Sequence, residues 1–364
     1  MQKNSIETIC ILFTHAGTGH LAAAKALRDA GLEFPGIKIE LVDFAKEYKL
    51  ANFAHQSVSY KFIIKNTPFL QQPIVNFFDL SPSSYVFRGY YRTLAKKNIR
   101  KFLQEHKADI YISTYYSDTE IFRLLKEINP KTKTVMIVAD IIHTLRLWFS
   151  NFIDLIILPT QETYKNGKKY FEKYSDKVEI FGLPVAQNLF QRQDIKTSRT
   201  KLELPQLPII FIAGGGEGMQ QIPKILNEID AKNEGICICV ICGKDEKQRK
   251  LLNRKKYRNI VKIFGWVENF TDYLYVADIV VTKAGPATIW EAMTVGKKII
   301  IYGFIGGVEN GDVQFAIENG CAIFEKNPKK IAQLVPMLLA MPNPKIKKQF
   351  KTNWAKQIIE RIIS

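Results

Sequence analysis

The stretch "ILFTHAGTGHLAAAKAL", residues 11–27, runs from an apolar, β-rich segment through a loop with Gly17 and Gly19 into an alanine-rich helical segment. Strand, glycine loop and helix in that order aim backbone N–H groups and a helix N-terminus at an anion, as in a doubly wound α/β domain. Outward from it, "TICILFT", "IKIELVDF", "ADIYIST", "KTVMIVAD", "FIDLIILPT" and "KVEIFGLP" read as strands separated by segments of helical periodicity. Around residues 184–208 the pattern breaks into a polar, proline-bounded segment, and then it restarts. "PIIFIAGGGEG", "ICICVICG", "NIVKIFGW", "ADIVVTKAG", "KKIIIYGF" and "GCAIFEK" supply a second set of strands. The expectation is an α/β protein of two Rossmann-like, doubly wound lobes, with the cleft between them as the default ligand site.

A chain of 364 residues suits two such lobes better than one core. With 46% hydrophobic and 24% charged residues it has a globular composition, and no uncharged apolar run approaches the roughly 20 residues that span a bilayer. The N-terminal "TICILFT" reads as a core strand rather than a secretory signal. Five cysteines suggest a reducing compartment. Cys237, Cys239 and Cys242 fall in a buried-strand pattern, and Cys239-x-x-Cys242 lacks the second ligand pair of a zinc site. A net charge of +17 points to an anionic partner. No helix-turn-helix, zinc-finger or RNA-recognition signature is present, so nucleic acid is not the expected partner.

Gly17-x-Gly19-x-x-Ala22 after a strand, with Asp43 closing the next one, satisfies a loose dinucleotide fingerprint and keeps an NAD-binding oxidoreductase in view. The other reading centres on His20 in the first helical turn, where an imidazole can take a proton from an alcohol or can simply cap the helix. His15, just before the loop, can orient a substrate or cap the strand. In the second half, Gly214, Gly215, Gly216 and Gly218 of "AGGGEGM" exceed what a turn requires and suit close backbone approach to a ligand. "TKAGPATIWEA" puts Gly285 and Pro286 at a strand end, Ala287 and Thr288 at a helix start and Glu291 one turn further in. That order suits a nucleoside diphosphate, with phosphates at the helix N-terminus and Glu291 accepting from ribose hydroxyls. The plainer role for Glu291 is a first-turn carboxylate favoured by the helix dipole.

"GTGHLAAAKAL", "AGGGEGM", "VICGKDEK", "GWVENFTDYLYVADIVVTKAGPATIWEAM" and "ENGDVQFAIENGCAIF" together resemble the monogalactosyldiacylglycerol synthases and related processive diacylglycerol glycosyltransferases of glycosyltransferase family 28. The resemblance implies a GT-B fold divided into an acceptor and membrane-docking lobe (1–186), a linker (187–207), a UDP-sugar lobe (208–345) and a returning helix (346–364). It also implies an inverting transfer in which His20 is the general base. Gly17, Gly19, His15, Asp140 and Trp148 fall on the acceptor side. Gly214, Gly215, Gly216, Glu217, Gly218, Met219, Lys283, Gly285, Pro286, Ala287, Thr288, Glu291 and Glu309 fall on the nucleotide-sugar side. No metal or other cofactor is expected; the UDP-sugar is a co-substrate. The chain departs from the family pattern where His15 replaces an aspartate, where Val308 and Asp312 replace amides around Glu309, and where Leu145 stands for a histidine, with His143 nearby but shifted.

Between residues 46 and 107 aromatics such as Phe53, Tyr60, Phe62, Phe69, Phe77, Phe78, Tyr85, Phe87, Tyr90 and Tyr91 interleave with Lys61, Lys65, Arg88, Arg92, Lys96, Lys97, Arg100 and Lys101. Such a pattern suits peripheral, monotopic docking on an anionic membrane surface, here the cytoplasmic face. The expected reaction moves a hexose, galactose ahead of glucose, from a UDP-sugar to 1,2-diacylglycerol. The alternatives are an N-acetylglucosamine transfer to a polyprenyl-linked acceptor, the oxidoreductase, and a catalytically silent protein of anionic membranes.

Overall fold

The computed structural model describes residues 7–15, 18–48, 71–191, 193–215, 221–306 and 309–364. The chain forms two compact units, one of residues up to Gln187 together with Asn353–Ser364, the other mainly Asn188–Ile305 and Glu309–Thr352.

In the first unit the order is β1 (Thr8–Phe13), α1 (Gly19–Gly31), β2 (Lys38–Asp43), α2 (Phe44–Glu47), α3 (Gln71–Asp79), α4 (Ser81–Glu105) and β3 (Ile110–Ser113). It continues with α5 (Thr119–Ile128), β4 (Lys133–Ile137), β5 (Leu155–Leu158), α6 (Gln161–Phe171) and β6 (Val178–Ile180). The six strands pair in parallel in the order β2-β1-β3-β4-β5-β6. Central strands such as β3 and β5 are buried at every residue, whereas edge strand β2 alternates over its first four. The order reverses between β1 and β3, and an open α/β sheet binds ligands outside the carboxyl ends of its strands at such a point.

The second unit begins inside the expected linker, where Ile195–Lys201 forms α7 because Asp194 caps it by accepting from Thr197 N–H at 3.1 Å. It continues with β7 (Ile209–Ala213), α8 (Ile222–Lys232), β8 (Cys237–Ile241), α9 (Glu246–Asn253), β9 (Ile260–Phe264) and α10 (Phe270–Val276). Then come β10 (Ile279–Lys283), α11 (Pro286–Thr294), β11 (Lys298–Gly303), α12 (Asn310–Glu318), β12 (Ala322–Phe324), α13 (Pro328–Ala340) and α14 (Lys348–Lys351). Its parallel sheet has the order β12-β11-β10-β7-β8-β9 and reverses between β7 and β10. All twelve strands read from the sequence are present. Each unit has its own apolar core; Ile210, Ile212, Val240, Val281 and Ile300 anchor the second beneath α8 and α13.

The final helix, α15 (Trp354–Ile363), belongs to the first unit. Ala355, Ile358, Ile359 and Ile362 recur at helical spacing and enter the core formed by Ile9, Ile11, Ala24, Leu27 and Ile110. Its first residue lies over Gly182, where a Cβ would overlap the Trp354 indole.

Candidate active site

The acceptor-side residues gather at the switch point of the first sheet. His20 is the second residue of α1 and donates its Nδ1–H to the carbonyl of Thr114, just past β3, at 2.7 Å. Thr114 Oγ1 donates in return to the His20 carbonyl at 3.0 Å. The Nδ1 bond fixes the tautomer and leaves Nε2 with the free lone pair. The ring sits edge-on against Tyr115 at 4.8 Å between centroids, with Trp148 at 6.1 Å. Burial pulls the His20 pKa down to about 4, against the weak opposing pull of the Thr114 carbonyl, so the imidazole is uncharged at neutral pH.

Trp148 is fully buried and donates its indole N–H to Asp140 Oδ2 at 2.8 Å, joining two residues read as separate acceptor-side positions. Tyr116 packs edge-on against Trp148 at 5.7 Å, and its hydroxyl lies 3.3 Å from that of Tyr115. Thr114, Tyr115 and Tyr116 carry no motif. Their only signal in the sequence is position, immediately after a central strand. Of the neighbouring candidates, His143 is exposed and Leu145 half-buried.

His15 pairs through Nδ1 with Asp43 Oδ2. Asp43 is buried; its other oxygen accepts from Lys46 N–H at 3.1 Å, capping α2. The carboxyl that would meet a ribose in the dinucleotide reading is therefore engaged by His15 and a helix cap. Gly19 opens α1, and Gly17 lies outside the described residues.

In the second unit the loops after β7 and β10, the two strands at its switch point, come together. Gly215 has φ +77°, a left-handed conformation that favours glycine, and a Cβ there would lie 3.1 Å from Lys283 Cε. A Cβ on Gly285 would lie 3.0 Å from Lys283 Nζ and 3.9 Å from Glu309 Oε1. The two glycines thus leave room for the lysine at the mouth of both loops. Lys283 Nζ forms an ion pair with Glu309, whose Oε2 accepts from Ile305 N–H at 2.7 Å. Gly285 is the N-cap of α11, Pro286 starts the helix where no N–H is needed, and Ala287 and Thr288 follow in its first turn.

Glu291 lies one turn into α11 and is 5% exposed. Among the described residues no hydrogen-bond donor reaches its carboxyl, and burial raises its pKa to about 8. Gly214 is placed at the end of β7; Gly216, Glu217, Gly218 and Met219 lie outside the described residues.

All five cysteines are free and buried. Among the described residues no group of three or more histidine, cysteine or acidic side chains could hold a metal ion.

A model of monogalactosyldiacylglycerol (MGDG) synthase matches residues 20–185, and one of the glycosyltransferase family 28 C-terminal domain matches residues 209–362. Monogalactosyldiacylglycerol synthase 3, chloroplastic, of Arabidopsis thaliana is 30% identical over 355 residues, covering 92% of this chain and 75% of the relative. The chain belongs to the monogalactosyldiacylglycerol synthase family. As a member of that family it is a UDP-sugar-dependent glycosyltransferase. The probable monogalactosyldiacylglycerol synthase 2, chloroplastic, of Oryza sativa subsp. japonica is also 30% identical, over 90% of this chain and 73% of its own length.

Solved structures place the fold with the GT-B proteins. MurG of Acinetobacter baumannii superposes with a TM-score of 0.57 at 12% identity, covering 98% of both chains. The UDP-GlcNAc 2-epimerase of Neisseria meningitidis, solved with UDP-GlcNAc, gives 0.62 at 16% identity over 98% of this chain and 99% of its own.

The basic aromatic segment of this family member divides physically along α4. Tyr91, Ala95, Ile99 and Phe102 face the core. On the opposite side Tyr85 and Val86 are 69% and 72% exposed, followed by exposed Tyr90 and Leu94 and then by exposed Lys96, Lys97, Arg100 and Lys101. Phe77 and Leu80, at the end of α3 and just beyond it, are exposed as well. Three expected surface residues are otherwise employed. Tyr91 is core, Arg88 donates to the carbonyls of Arg146, Leu147 and Phe149 at 2.9–3.2 Å, and Arg92 approaches Glu120 at 3.7 Å. Phe53, Tyr60, Lys61, Phe62, Lys65 and Phe69 lie outside the described residues, as does the side chain of Phe78. Among the described residues no helix is long and apolar enough to cross a membrane.

Proposed function

We propose that this protein transfers a hexose, galactose in preference to glucose, from its UDP-sugar to 1,2-diacylglycerol with inversion at the anomeric carbon. The observation that carries the donor half is the pairing of left-handed Gly215 with Gly285 around Lys283, beside the buried carboxyl of Glu291. Backbone N–H groups at the start of α11 and the Lys283 ammonium suit a diphosphate. Glu291 suits two ribose hydroxyls, which would supply the donors its carboxyl otherwise lacks. Glu309, poised beside Lys283, suits the sugar hydroxyls.

The acceptor half rests on His20. Its Nε2 takes the hydroxyl proton as the acceptor oxygen attacks C1, and the bond from C1 to the phosphate oxygen breaks with its electron pair leaving on UDP. The N–H groups and Lys283 stabilise that leaving charge in place of a metal. Gly19, Asp140 and Trp148 stand on the acceptor side in this reading. Tyr85, Val86, Tyr90 and Leu94 enter the headgroup boundary of the cytoplasmic leaflet while the four exposed cations beyond them meet anionic lipid, which makes the enzyme peripheral and monotopic.

The test is incubation with radiolabelled UDP-galactose, UDP-glucose or UDP-N-acetylglucosamine and vesicles holding diacylglycerol or a polyprenyl phosphate. A labelled β-glycosyldiacylglycerol is the expected product. Labelling of the polyprenyl lipid alone would overturn the acceptor assignment. His20→Ala should lower turnover by roughly 100-fold or more while UDP still protects against thermal unfolding.

A further inference from the structure

His15, just after β1, and His20, in the first turn of α1, are two imidazoles whose hydrogen-bond partners differ in charge. His20 gives its Nδ1–H to a neutral carbonyl, that of Thr114. His15 gives its own to the carboxylate of Asp43. A carbonyl fixes orientation but does little for an imidazolium, whereas a buried carboxylate both orients the ring and favours its charged form.

The surroundings of Asp43 add to that difference. Glu47 Oε1 accepts from the Asp43 N–H at 3.1 Å. Asp118, which accepts from Ser113 Oγ at 2.7 Å, is close enough to Asp43 for the two carboxyls to interact electrostatically. Acidic groups from α2 and from the turn before α5 therefore stand beside Asp43. The Phe13 ring packs against the His15 imidazole at 5.4 Å between centroids. The His15 side chain is 33% exposed and that of Asp43 6%, so the carboxylate is sheltered while the imidazole reaches solvent at the carboxyl edge of the sheet.

We propose that His15, oriented by Asp43, is a second proton acceptor for the glycosyl transfer, receiving the acceptor hydroxyl's proton on Nε2. As that proton arrives, the oxygen bonds to the anomeric carbon and the sugar–phosphate bond breaks, its electron pair leaving on UDP. This assignment rests on the transferase reading above. His20 is the principal acceptor and His15 an alternative acceptor of the same proton: His20 is uncharged and fixed in tautomer from the start, and His15 has an anionic partner for the charge it gains. His20 pays for protonation with burial, which holds its pKa near 4.

The test is the set His15→Gln, Asp43→Asn and the double variant, assayed for kcat and KM with the UDP-sugar and diacylglycerol vesicles that support wild-type transfer. Asparagine at 43 still accepts the Lys46 N–H cap, so the variant removes charge with little change to the turn. His15→Asn, which keeps a side-chain donor for Asp43, guards against a folding defect in His15→Gln. Made in the His20→Ala background, where the second acceptor carries what turnover remains, each single variant should lose a further factor of roughly 10 or more in kcat with UDP binding unchanged, and the double variant should lose no more than either single. Nitrogen-15 spectra should show His15 held with its proton on Nδ1 in the wild type and in a mixture of tautomers in Asp43→Asn.

Losses within twofold, losses confined to KM, or losses that multiply in the double variant would overturn the proposal. So would a His15 tautomer indifferent to Asp43, a result that needs no turnover and leaves the transferase reading standing. A wild-type protein that transfers from none of the UDP-sugars would instead overturn that reading, and the catalytic role with it.

Discussion

Glu291→Gln separates the cost of the donor site from its use. Burial raises the Glu291 pKa from 4.5 to about 8. Below pH 4.5 folded and unfolded chains both hold the proton, so the stability linked to this residue is fully present. Between 4.5 and 8 the unfolded chain has released it while the folded chain keeps it, and stability falls by about 1.4 kcal/mol per pH unit. From pH 5 to pH 8 the loss comes to about 3.5 kcal/mol, a large fraction of a domain's stability. Glutamine keeps the shape and does not ionise. Urea unfolding without ligand should therefore find the variant close to wild type at pH 5 and more stable by roughly 3 to 4 kcal/mol at pH 8. Saturating UDP should narrow the gap at pH 8, because ribose hydroxyls favour the carboxylate and glutamine binds them less well. A gap that does not change with pH, or that is larger at pH 5, would refute the reasoning.

Gly215→Ala forces a side chain into a left-handed conformation beside Lys283; it should cost about 1–3 kcal/mol in urea unfolding and weaken UDP binding by calorimetry. Gly182→Ala overlaps Trp354 and should destabilise the first unit by about 1–3 kcal/mol, read as a lower urea midpoint, with UDP affinity unchanged. Replacing Lys96, Lys97, Arg100 and Lys101 by alanine should abolish any preference for anionic over neutral vesicles in co-sedimentation, a loss of about 1 kcal/mol per cation near the surface. Added salt should erase the wild-type preference in the same way.

The sheets were legible because buried parallel strands are written as continuous apolar runs, as in "IIFIA" of β7 and "CICVI" of β8. The donor-side glycines were legible for a related reason: backbone conformation at 215 and close approach at 285 both restrict the residue type. The partner of His15 was not. Asp43 lies 28 residues away on the neighbouring strand and invited a different reading as the acid of a dinucleotide fingerprint; only the β1–β2 register, with Phe13 opposite Asp43, brings the pair together. Tyr115 and Tyr116 were silent because an aromatic after a strand is ordinary until the first turn of α1 is laid beside it. On α4 the composition was right and the assignment incomplete, since even adjacent Tyr90 and Tyr91 divide between solvent and core.

The placement of α15 also has a consequence for synthesis on the ribosome. The first unit's core lacks the wall supplied by Ala355, Ile358, Ile359 and Ile362 until those residues emerge, although the rest of that unit is made by residue 187. Throughout translation of the second unit, the waiting surface over Ala24, Leu27 and Ile9 remains open to water or to a chaperone. The second unit carries its core within residues 209–350, all made before α15, and has no such delay. Native order should therefore invert synthesis order: the lobe made last can close first, and the lobe made first is sealed by the end of the same chain.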